Sequence, residues 1–107
     1  MPHDTWFLTE NRLDEKAFLG HVDEILAENE KILKNELKKF KGGVFFYYFE
    51  TLDIIQHMFW RYLDTKHALY EKNPLYQDTI FKYYEKIDRL LGEILKTMDK
   101  DTTLIVL

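Results

Sequence analysis

The sequence predicts an α/β fold, mostly helical, with a short two-stranded parallel sheet. Long stretches carry apolar residues at spacings of three and four, the signature of amphipathic helices. Two short runs, about 44–50 and 103–107, are almost unbroken in β-branched, apolar or aromatic residues, as strands buried on both faces are. Between those runs lies a long helical segment, the crossover that parallel pairing needs.

The first helix is expected over about 14–41. Phe18, Val22, Ile25, Leu26, Ile32, Leu33, Leu37 and Phe40 trace its apolar stripe. Asp14 can accept a bond from an orphan amide of the first turn, and Gly42 and Gly43 offer the left-handed backbone that ends helices. Glu24, Glu28, Lys31, Lys34 and Lys38 fill the opposite face as a solvated surface. The Gly pair flanks the first strand, and a second helix follows over about 53–63. Residues 64–72 read as loop. Asn73-Pro74 then opens a third helix, about 74–99, with Pro in the first turn, where a missing amide costs nothing. Its stripe runs through Ile80, Tyr83, Tyr84, Ile87, Leu90, Leu91, Ile94, Leu95 and Met98, with Gly92 a close-packing point or weak spot. No repeat, linker or low-complexity tract interrupts residues 1–107, which read as one domain.

The chain has 107 residues, 46% of them apolar and 32% charged, with no cysteine. A modest core is within reach without disulfides or a structural metal. Nineteen acidic against fifteen basic residues leave a net charge of −4 with no basic run, so nucleic acid is a poor partner. No apolar stretch is long enough to span a membrane, and Asp4 and Glu10 stand where a signal peptide would be basic and then apolar. These features, with the absent cysteine, place the chain in the cytoplasm. The Lys and Glu content matches thermophile composition.

Chemistry is sparse. The sequence has no Gly-rich phosphate loop, nucleophile elbow, Cys-x-x-Cys or His-Glu-x-x-His. The one constellation is Glu50-Thr51-Leu52-Asp53-Ile54-Ile55-Gln56-His57, at the carboxyl end of the expected first strand, where open α/β sheets build sites. Asp53 and His57 stand four apart, so on a helix both project from one side at a spacing that chelates a divalent metal. Asp53 is equally a good N-cap, and both readings stand on the residues alone. His67, in the loop, is either a substrate contact or simply solvated. His3 and His21 have no partner pattern, and Thr5, Thr9 and Thr51 have no context that makes one a nucleophile. The aromatics Phe45, Phe46, Tyr47, Tyr48, Phe49, Phe59, Trp60 and Tyr62 could pass for a base-stacking platform, but core packing is the simpler assignment without a basic groove.

Residues 45–107 resemble the type I phosphodiesterase and nucleotide pyrophosphatase branch of the alkaline phosphatase superfamily. The resemblance is carried by Tyr48-Phe49-Glu50, Asp53, Gln56-His57, Phe59-Trp60-Arg61, Asp64, His67, Tyr83-Tyr84, Asp88, Gly92 and Asp101-Thr102-Thr103-Leu104-Ile105-Val106. Asp4-Thr5-Trp6 and residues 14–40 are similar to that family's insertion before the strand. The resemblance implies a two-metal enzyme that cleaves phosphate esters through a phosphorylated Thr or Ser. In it Asp53 and His57 match two of the three protein ligands of one zinc, the third being a distant His. The family's Ser-Asp-His-Gly motif and its nucleophile have no counterpart in these residues. The expectation is therefore an internal segment of a larger catalytic domain, inactive alone, acting on a phosphate ester only within an intact enzyme. Strand edges and apolar helix faces left uncovered predict a homodimer or larger assembly. The alternative is a non-catalytic helical interaction or oligomerisation module.

Overall fold

The computed structural model describes residues 3–107; residues 1 and 2, at the head of the leading segment read above, lie outside the described residues. Four helices carry the fold: α1 (Thr5–Thr9), α2 (Glu15–Lys39), α3 (Thr51–Leu63) and α4 (Thr79–Thr97). The expected cap holds, since the Asp14 carboxylate accepts from the Ala17 amide at 2.7 Å and so satisfies a first-turn donor. Beyond α2, Gly42 and Gly43 adopt φ of 149° and 96°, which L side chains rarely take. The chain can turn there because neither residue has a Cβ. The short α1 is too brief for periodicity to reveal, and it buries Leu8.

Among the described residues there is no strand, so the parallel sheet expected from 44–50 and 103–107 does not form, and the fold is all-helical rather than α/β. The reason is physical. A strand has no hydrogen bonds of its own and needs a ladder partner, and no backbone hydrogen bond joins these two segments. Side chains of 44–49 nevertheless alternate as they would in a strand. Phe45, Tyr47 and Phe49 are half-buried, whereas Val44, Phe46 and Tyr48 are 95%, 76% and 66% exposed. The inward row is pinned from the side, as the Tyr47 hydroxyl meets the carbonyl and the side-chain oxygen of Asn29 on α2 at 3.0 and 3.1 Å. Residues 101–107 are exposed throughout.

The helix expected over 74–99 starts later, at Thr79. Asn73 accounts for the delay. Its side chain accepts from the Leu75 amide at 3.1 Å and its carbonyl from Gln77 at 3.0 Å, which closes a separate single turn; the Thr79 amide then bonds back only three residues, to Tyr76, and the ladder of α4 opens with Lys82 donating to Asp78.

The core is shared by all four helices: Leu8 from α1; Phe18, Val22 and Leu26 from α2; Ile55, Phe59 and Tyr62 from α3; Ile80 and Tyr83 from α4. Phe18 and Phe59 stack across it at 6.2 Å. Two buried phenols are satisfied at its rim, Tyr62 donating to Glu15 at 2.6 Å and Tyr83 to Asp23 at 2.7 Å. The apolar stripes are not wholly covered: Ile32, Tyr84 and Leu95 face solvent. The radius of gyration, 16.3 Å, exceeds the ~13 Å usual for a closed domain of this length. No helix of the described residues is long and apolar enough to cross a membrane.

Candidate functional site

α3 begins at Thr51, directly after Glu50, which caps it with no side-chain bond. Asp53 therefore lies inside the first turn, and the N-cap reading of this residue falls away. Its carboxylate sits where the unpaired amides of the helix carry positive potential. Thr51, fully buried, has no access to a substrate.

One turn on, His57 places Nε2 3.4 Å from Oδ1 of Asp53, and both side chains are open to solvent. This separation is wider than a good hydrogen bond. It equals the edge of a tetrahedron whose centre lies at zinc-ligand distance from both atoms, about 3.3 Å. The pair thus fits a bidentate clamp on a tetrahedral divalent ion, with the helix setting the bite. No cluster of three or more His, Cys, Asp or Glu able to hold a metal occurs among the described residues.

His57 also lines an open depression with Gln56, Trp60 and His67. Two histidines that the sequence separates by ten positions are thereby brought to one place. The Gln56 amide donates to the Tyr84 hydroxyl of α4, which anchors that wall. After α3 the chain folds back through Asp64. One of its oxygens accepts from the Trp60 indole at 3.3 Å, and the other accepts from the Lys66 amide at 2.9 Å. His67 follows, its Nδ1 accepting from the Leu69 amide at 3.1 Å. That bond leaves the proton of the neutral ring on Nε2.

The remaining candidates take no part. His3 is buried with Nδ1 3.6 Å from Glu50, and burial holds its pKa down although Glu50 acts in the opposite sense. A second depression between α2 and α4 is lined by Asp23, which pairs with Lys86, and by Glu30 and Glu93, which both pair with Lys34. Of the aromatics assigned to packing, Phe59 and Tyr62 are core, but Trp60 is 44% exposed. Trp60, Gln56 and Asp64 were missed as site residues. Their signal was spacing, since positions 53, 56, 57, 60 and 64 share one helical face.

The sequence model of the type I phosphodiesterase / nucleotide pyrophosphatase family matches residues 4–107. The chain belongs to that family. No curated protein and no solved structure matches it. The family match covers both the Asp53–His57 pair and the depression beside it, along with all four helices.

Proposed function

We propose that this chain supplies part of the metal centre of a phosphate-ester hydrolase, with Asp53 and His57 as two ligands of one divalent ion, zinc being the ion their chemistry suits. The observation that carries this reading is the 3.4 Å separation of Asp53 Oδ1 and His57 Nε2, the span of two corners of a zinc tetrahedron. Family membership supports it. A metal held there would polarise a phosphoryl oxygen and lower the pKa of bound water. The part played by this chain is to hold the two ligand atoms at a fixed bite on α3, and to present the depression containing His67 to the ester. Further ligands and the nucleophile come from outside these residues, so the isolated chain does not transfer a phosphoryl group.

The test is a calorimetric zinc titration of the chain beside Asp53→Ala and His57→Ala. Saturable binding in the parent and its loss in both variants is the expected result. Equal binding by all three would overturn the reading.

A second reading, pairing between copies of the chain, draws on the exposed row of Val44, Phe46 and Tyr48 and on the exposed apolar residues Ile105, Val106 and Leu107. The backbone of both segments has no ladder partner among the described residues, and unpaired extended backbone is a template for strand addition. Solution mass at micromolar concentration tests it: a dimer that dissociates in Phe46→Lys is expected, and a monomer at all concentrations would overturn it.

A further inference from the structure

The two tryptophans are placed differently. Trp6 is occupied, with the Arg12 guanidinium 4.9 Å from its ring centroid and the edge of Phe7 at 5.2 Å. No ring or cation of the described residues packs against Trp60, although it is 44% exposed. Its position is nonetheless fixed. The indole N–H is held by Asp64, and the same carboxylate holds the Lys66 amide in the turn that leads to His67. One side chain therefore sets both walls of the depression. His67 adds a donor of known tautomer, since the Leu69 amide occupies Nδ1. An uncovered indole beside a ring N–H, next to the Asp53–His57 pair, matches a ligand with a flat ring attached to a phosphoryl oxygen.

We infer that Trp60 is a specificity-determining residue of the depression, stacking on the ring of an aryl or other flat-ring phosphate ester while His67 Nε2–H donates to an oxygen of the same ester. Asp64 is the positioning residue that keeps the indole and the His67 turn together. The inference rests on the proposed hydrolase reading for the presence of a phosphate ester at this place. Stacking of a flat ring on an aromatic side chain gives about a fivefold gain in affinity at the low end of its range. The ring-free ester forgoes that gain.

The experiment compares phenyl phosphate with methyl phosphate, two esters that share the phosphoryl group and differ in the ring. Each is titrated into the chain with zinc and again with zinc chelated, following the two indole N–H resonances, assigned through Trp6→Phe. Phenyl phosphate is expected to bind about five times more tightly than methyl phosphate and to move the Trp60 resonance while leaving that of Trp6 in place. Trp60→Leu should bring the two affinities within twofold of each other, His67→Ala should weaken both esters, and Asp64→Ala should reduce the ring preference without abolishing phosphate binding. A Trp60 resonance that does not move at saturating phenyl phosphate, or a ring preference that survives in Trp60→Leu, overturns the inference. Failure of the hydrolase reading looks different: ring preference with no saturable zinc binding would remove the metal assignment and leave Trp60 its role.

Discussion

Tyr83 on α4 donates its hydroxyl to Oδ1 of Asp23 on α2 at 2.7 Å, while its ring is buried in the core. Lys86, one turn further along α4, meets the same carboxylate oxygen. A buried phenol and an exposed ammonium thus share one acceptor, which links the two longest helices at the rim of the core. Burial and the neighbouring carboxylate both push the Tyr83 pKa up, so the hydroxyl remains a donor throughout the physiological range. Tyr83→Phe removes the bond but keeps the packing, and Asp23 retains water and Lys86 as partners. The expected loss is about 1 kcal/mol of folding stability, read as a lower urea midpoint at unchanged slope.

Thr51 offers the opposite case. It is fully buried at the start of α3, and its hydroxyl has no hydrogen-bond partner among the described residues. Thr51→Val replaces that hydroxyl with a methyl of similar size and removes the cost of an unsatisfied polar group. A gain of about 1 kcal/mol is expected. A lower thermal midpoint in the variant would show that the hydroxyl has a partner after all.

His3 gives a pH dependence of definite sign. Its folded pKa lies below the ordinary 6.5 because burial disfavours the charged ring, with Glu50 pulling upward and His21 downward. The unfolded chain therefore takes up a proton at a pH where the folded chain does not. The favourable contribution of a neutral, buried His3 is complete above about pH 6.5 and declines as pH falls below it. The carboxylates of Glu93 and Asp99, held below their ordinary range by Lys34 and Thr102 respectively, lose their contributions only in more acid solution. Denaturant midpoints at pH 7.5 and 5.5 should differ more in the parent chain than in His3→Phe, and identical differences would count against this assignment.

Zinc should stabilise the folded chain alone, because Asp53 and His57 come into register only on the helix. At a hundred times its dissociation constant, the ion adds about 2.7 kcal/mol. The thermal midpoint should rise with zinc, return with chelator, and respond to neither in His57→Ala.

How much of this was legible in advance follows from the range of each interaction. The α2 cap at Asp14, the turn at Gly42 and Gly43, the loop after α3 and the placing of Asp53 and His57 on one side of a helix are local matters, decided within a few residues by backbone geometry. The residues determined these by themselves, along with the net charge of −4. The start of α4 lies later than expected because Asn73 closes a separate turn over 73–77, and the Thr79 amide bonds back to Tyr76 instead of continuing it as an α-helix. The strands were misjudged for a different reason. Residues 44–50 and 103–107 have the composition of strands, and the first retains a strand's alternation, yet a strand exists only when another segment supplies its hydrogen bonds. That decision belongs to tertiary structure, as does the meeting of His67 with Trp60 and His57. The loop that returns His67 to the face of α3 is held by the Asp64 carboxylate, and Gln56 is anchored by a tyrosine from α4. Periodicity placed Asp53, His57 and Trp60 on one face of α3, but only the folded chain set His67 beside them, because that meeting joins segments that no local pattern connects.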